Sequence, residues 1–239
     1  VIGDWSSDVC SSDLAGVEMG KFFADKGIKT AAIYGAFIPN PMHVYRTAGV
    51  LAGLGLSYGG ATTEEDVVGL IFADQGIDLS KISGDIKIVS YLQGYGDTTT
   101  DEINAAIQAA PEAFISVGMA TTFFTQQLNA AGIEFSDIDS FTKSNGEAIT
   151  NGKLVYLAGK YSSSVGPAFA LVMNAINGNV IRDAQGNAVS LSQNYQVATD
   201  SETFDKFYKN DNGDNPIYSR DTLDQIIGDT VTFDTINEV

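Results

Sequence analysis

Few side chains in this 239-residue sequence suit bond-making chemistry, and those that stand out suit gripping a ligand. His43 is the only histidine and Cys10 the only cysteine. A zinc centre or a Ser-His-Asp triad would have to be built around His43 alone, because each needs several such groups converging. His43 is therefore expected to be a surface or loop histidine. Gly53, Gly55, Gly59 and Gly60 form a glycine-rich stretch, but it follows a helical segment. A phosphate-cradling loop needs its glycines between a strand and the next helix, and no Gly-Lys-Ser/Thr occurs. Glu64, Glu65 and Asp66 suit the positive end of a helix dipole. No cofactor, no metal and no catalysis are expected.

The residues suited to binding fall in loops. Phe37, Tyr45, Tyr91, Tyr95, Phe141 and Tyr161 lie in or next to the segments 35–46, 93–98, 142–145 and 159–163. Arg46, Thr142 and Lys160 belong to the same loops, and Met119 to a further strand-end loop at 118–122. Aromatic faces stack on the apolar faces of sugars or flat rings, and a few polar groups then fix orientation. Arg46, Phe37, Tyr95, Met119, Phe141, Thr142, Lys160 and Tyr161 are the expected ligand-binding set. Arg46 and Lys160 on one cleft would suit an anionic or carbonyl-rich ligand.

The elements that must position these loops alternate. Helical periodicity over 17–26 stops at Gly27, and Thr30–Tyr34 reads as a short buried strand. Helices are expected at 43–56 and at 64–73, the second capped by Thr62 or Thr63. Strands at 86–92, 113–117, 138–141 and 154–158 alternate with helices at 100–109, 121–131, 146–149 and 165–176. A last strand is expected at 194–198. Segments 202–208 and 221–227 are amphipathic, and 209–216 is rich in Asn, Asp and Gly and reads as an exposed loop. This order makes an α/β fold, a doubly wound and mostly parallel sheet covered by helices on both faces. Ligands of such sheets bind outside the C-terminal strand ends, where the loops above lie.

Composition is that of an ordinary globular chain, with 44% hydrophobic and 18% charged residues. No apolar run approaches the roughly 18 residues of a membrane span. A net charge of −17 repels phosphate backbones, so nucleic acid is not an expected partner. Asp4 to Leu14 resembles a translated sequencing adapter and shows neither hydrophobic period nor the layout of a secretion signal. Residues 1–14 are therefore set aside as an artefact, and the natural start of the protein is expected to be missing.

The order of motifs resembles the type I periplasmic solute-binding proteins, the ribose-binding-protein-like family, over residues 15 to about 200. Asn151-Gly152-Lys153-Leu154 through Lys160 to Gly166 is similar to the family's DGKL…Q…P…G segment. Arg46 with Gly49 is similar to R-x-x-G, and Pro111-Glu112-Ala113 to Gly132 is similar to PDA…ALxxAG. Ser140-Phe141-Thr142 stands where the family has Gly-Phe-Asp. Departures are clear: Val117 and Gly118 replace a polar pair, Thr142 an Asp, and Lys160 the hinge Gln. The resemblance implies a two-lobed, extracytoplasmic solute-binding component of an ABC importer, periplasmic or lipid-anchored, with its secretion signal outside this sequence. Its partners would be a small polar ligand, a sugar or related solute, and a membrane permease, and the complete protein would be a monomer. Residues 15–160 would be the second lobe, 161–190 the returning segment of an incomplete first lobe, and 191–239 the last crossover strand and a C-terminal extension. The alternative is the effector-sensing core of a LacI-type transcription repressor of the same fold.

Overall fold

The structure, a computed structural model, describes residues 6–94, 99–189, 191, 193–214 and 216–237; the side chains of 6–13, 99 and 237 are not described. Helix α1 spans Ser6–Asp25, so it begins well before the expected residue 17. Strand β1 is Thr30–Tyr34, and α2 is Pro41–Gly53, opened by Asn40 accepting from the Met42 N–H with proline in the first turn. After β2 (Ser57–Tyr58), α3 spans Glu64–Asp74. The Thr63 hydroxyl caps it, accepting from Asp66 N–H, and the acidic triplet fills its first turn. Thr63→Ala is expected to cost about 1 kcal/mol of stability, read by thermal unfolding.

The chain then runs through β3 (Ile82–Ser83), β4 (Lys87–Leu92), α4 (Thr99–Gln108) and β5 (Ala113–Ser116). Two short helices follow, α5 (Ala120–Phe123) and α6 (Thr125–Ala131), then β6 (Glu134–Ile138), α7 (Lys143–Asn151) and β7 (Leu154–Gly159). Helix α8 (Gly166–Ile176), β8 (Gln196–Ala198), α9 (Ser201–Asn212), α10 (Arg220–Gln225) and α11 (Phe233–Asn237) complete the chain.

The main sheet has the order β4-β1-β5-β6-β7-β8, parallel except that β8 runs antiparallel to β7. The β2 and β3 strands pair separately. After β1 the chain adds β4 on one side and β5 on the other, which puts a topological switch point at the C-terminal end of β1. The core lies along β1, β5, β6 and β7, with Phe114, Phe135, Ile33 and Leu157 fully buried. A smaller apolar cluster joins Ala170 of α8 to Ile181, Ile226, Val231 and Ile236.

Four further expectations change. The strand expected at 138–141 is Glu134–Ile138; Ser136 and Asp137 made it look polar, yet both are buried and bonded to β5 and α5. The helix expected at 121–131 breaks at Phe124 (φ −126°, ψ −3°), whose ring packs 4.9 Å from Tyr34 and 5.8 Å from Phe114. Ring burial there outweighs helix continuity. The helix expected at 146–149 spans Lys143–Asn151, because Thr142 caps it early. Part of the loop expected at 209–216 is helical, since α9 runs on to Asn212.

Candidate functional site

Arg46 is placed by the crossing of α1 and α2. The two helices meet through glycines: a β-carbon on Gly16 would stand 2.2 Å from the Arg46 carbonyl oxygen, and one on Gly53 2.2 Å from that of Val17. This close approach fixes α2 against the sheet and turns Arg46 over the switch point. Arg46 is 6% exposed. Its Nη1 donates to the Val117 carbonyl at 2.9 Å, just past β5, and its Nη2 donates to the Tyr195 hydroxyl at 2.6 Å, just before β8. Its Nε is buried without a hydrogen-bond partner. Arg46 Cζ also lies 5.5 Å from the Tyr195 ring centroid. A guanidinium that donates to the ring's own hydroxyl sits at the ring edge, so the hydrogen bond carries this pair. Lys160 Nζ approaches the same ring, 5.0 Å from its centroid.

His43 is one helical turn before Arg46 and 5% exposed. The expected surface or loop histidine is a buried helical one, because α2 starts at Pro41 and packs this face inward. Burial lowers its pKa and the Arg46 charge lowers it further, against a raising contact with the Phe37 backbone, so the ring is neutral. Nδ1 lies 3.1 Å from both the Phe37 N–H and the Phe37 carbonyl oxygen, accepting from the first in one tautomer and donating to the second in the other. Nε2 faces Gly118, 3.8 Å from where a β-carbon there would be.

The expected binding residues divide into two groups. Arg46 and Lys160 converge on Tyr195, while Phe37, 41% exposed, is joined to His43 through its backbone, and half-buried Met119 sits in the left-handed region (φ 70°) at the start of α5. Phe141 goes elsewhere: it is 1% exposed and packs 5.4 Å from Phe207 and 6.1 Å from Phe204, both on α9. Tyr161 joins that aromatic cluster, 5.9 Å from Phe141. Thr142 is exposed and caps α7, accepting from Asn145 N–H. Tyr95 lies outside the described residues. Tyr195 was missed by the sequence reading; no local signal marks it, because its partner Arg46 is 149 positions away.

A hollow of about 640 Å³ beside Leu79, Ile86, Lys87 and Ala109 lies at the N-terminal end of β4, the wrong end of the sheet for a strand-end ligand. Among the described residues no group of three or more His, Cys, Asp or Glu is placed to hold a metal ion, and no helix is long and apolar enough to cross a membrane.

The chain has the type I periplasmic-binding-protein fold over the part it spans, as several solved structures show. A periplasmic solute-binding protein of an ABC transporter from Actinobacillus succinogenes 130z, with bound D-allose, is similar at TM-score 0.56 and 16% identity, over 82% of this chain and 61% of its own. A galactofuranose-binding protein is similar at TM-score 0.56 and 10% identity, over 84% of this chain and 62% of its own. The arabinose ABC transporter's periplasmic binding protein from Shewanella sp. ANA-3, bound to L-arabinofuranose, is similar at TM-score 0.52 and 16% identity, over 84% and 61%. The chain thus spans about three-fifths of the length of the structures it matches. No protein-family model matches the sequence, and no curated protein is similar to it.

Proposed function

We propose that this chain supplies one wall of the ligand cleft of an extracytoplasmic solute-binding protein serving an ABC importer, and that it clamps a small polar ligand without catalysis. The observation that carries the reading is the contact between Arg46 and Tyr195 at the switch point. A buried guanidinium there donates to a hydroxyl, the group a sugar presents, and a ligand hydroxyl takes that place when the cleft is filled. Arg46, Phe37, Met119 and Lys160 are the proposed contacts. The named ligands of the similar structures are sugars, which supports the sugar class. None of those structures is named as a repressor, so the repressor alternative draws no support from them.

Residues 15–160 form the proposed second lobe and 161–190 the segment returning to the first. Val165, Phe169, Val172 and Ile176 recur at helical spacing and are 51–70% exposed, an apolar stripe that suits cover by that lobe. Binding then works by closure: contacts in both lobes favour the closed state, and the permease reads that state.

Isothermal titration of the complete gene product with a panel of pentoses and hexoses tests this. Arg46→Ala is expected to weaken binding about 10- to 150-fold, the equivalent of a charged hydrogen bond of about 1.5–3 kcal/mol. No binding to any sugar, or binding indifferent to Arg46→Ala, overturns the reading. This 239-residue chain alone, with one wall, is expected to bind far more weakly; equal affinity would refute the two-lobed cleft.

A further inference from the structure

The carboxyl of Asp137 has no role in the binding described above, and its surroundings are short of hydrogens. Asp137 is fully buried in β6. Its Oδ1 accepts from the Ile138 N–H at 2.9 Å and faces the Ser116 hydroxyl at 3.0 Å. Its Oδ2 accepts from the Thr121 N–H at 2.7 Å and faces the Thr121 hydroxyl at 2.7 Å. Each hydroxyl is claimed a second time: Ser116 Oγ lies 3.1 Å from the Gly118 carbonyl oxygen, and Thr121 Oγ1 lies 3.0 Å from Asp139 Oδ2. A hydroxyl has one hydrogen to donate. With both aspartates ionised, the hydroxyls of Ser116 and Thr121 cannot serve all the oxygens that face them, and close oxygen–oxygen contacts stay without a hydrogen.

A proton on Asp137 relieves one of these two shortages at a time. Carried on Oδ1, it is donated to Ser116 Oγ, and the Ser116 hydrogen turns wholly to the Gly118 carbonyl. Carried on Oδ2, it is donated to Thr121 Oγ1, and the Thr121 hydrogen turns to Asp139. Either arrangement tightens the turn 117–121, which bears the carbonyl of Val117 that holds Arg46.

We propose that Asp137 takes up a proton in mildly acidic solution and that this proton sets the turn 117–121 against which Arg46 is held. The inference stands whether or not the sugar-binding reading does. Burial pushes the Asp137 pKa up to about 6; the Thr121 N–H and hydroxyl and the Ser116 hydroxyl oppose the rise, and the charge of Asp139 adds to it. Its described neighbours Ser116 from β5, Thr121 from α5 and Leu157 beside it on β7 carry no charge. Arg46 and His43 of α2 reach Gly118 on the other side of the turn. A carboxyl raised above its ordinary value of 3.8 contributes stability that is full below that value and is lost as pH rises through about 6. Acidification from neutral pH therefore tightens the turn.

The test is a carboxyl-carbon NMR titration of this chain, followed together with the amide signals of Gly118 and Thr121. Asp137 is expected to titrate near pH 6, with both amides moving at the same midpoint. Asp139→Asn removes the repelling charge, so the midpoint should fall. Thr121→Val removes a bond to the ionised form, so the midpoint should rise, while Thr121→Ser should keep it. A midpoint in the ordinary carboxylate range, amides that do not follow it, or an Asp139→Asn midpoint that stays in place would each overturn the proposal. If Thr121→Val does not fold, the wild-type and Asp139→Asn titrations decide it.

Discussion

Phe114→Ala is expected to lower the free energy of unfolding by about 3–5 kcal/mol, the range for truncating a buried phenylalanine. Phe114 lies in β5, between β1 and β6, and is fully buried. Its ring meets Phe124 at 5.8 Å, and Phe124 in turn meets Tyr34 at 4.9 Å. Truncation therefore opens a cavity and also undermines the plug that splits α5 from α6. Since domains are stable by only about 5–15 kcal/mol, the loss would be a large share of the total. Urea unfolding measures it: the midpoint should fall while the denaturant slope stays unchanged. A loss below about 1 kcal/mol, typical of sites outside a packed core, would mean that the ring is not the keystone the packing indicates.

Gly53→Val should cost about 1–3 kcal/mol or more, by overpacking. A β-carbon at Gly53 meets the Val17 carbonyl oxygen at 2.2 Å and the Gly20 α-carbon at 2.9 Å. Both neighbours are backbone, so no rotamer change relieves the contact and the helices must part. Parting them shifts α2, and Arg46 with it, so the hydrogen bond to Tyr195 should weaken as stability falls. Gly69 provides the contrast within α3. Nothing lies within 4 Å of a β-carbon there. Gly69→Ala is expected to stabilise by about 0.4–1 kcal/mol, because it restricts the unfolded chain and improves helix propensity. Thermal unfolding of the two variants side by side would show opposite signs. Equal effects would mean that the crossing does not depend on the missing side chain.

Much of the architecture was written locally. The buried run at Thr30–Tyr34, the helical period behind α3, the Thr63 cap and the acidic first turn of α3 each depend on a few neighbouring residues, so the structure shows them where pattern and propensity placed them, while α2, expected at 43–56, spans Pro41–Gly53. The alternation of strands and helices was enough to imply a mostly parallel sheet and to direct attention to the loops past the strand ends.

Other features were decided only when distant segments met. Strand β6 carries Ser136 and Asp137, which look wrong for a buried strand until Ser116 and Thr121 arrive to satisfy them. Phe124 interrupts a helix its neighbours would continue, because the space beside Tyr34 and Phe114 rewards burying its ring more than the lost helical bonds cost. Phe141 and Tyr161 read as rim aromatics, but α9 offers Phe204 and Phe207 and draws them into a cluster of their own. His43 becomes a buried helical residue, and Arg46 finds Tyr195 across 149 positions. Propensity and periodicity act within a turn or a strand and survive in the linear order of residues. Hydrogen-bond satisfaction and ring packing depend on which surfaces touch, and for those the three-dimensional arrangement has the deciding energy.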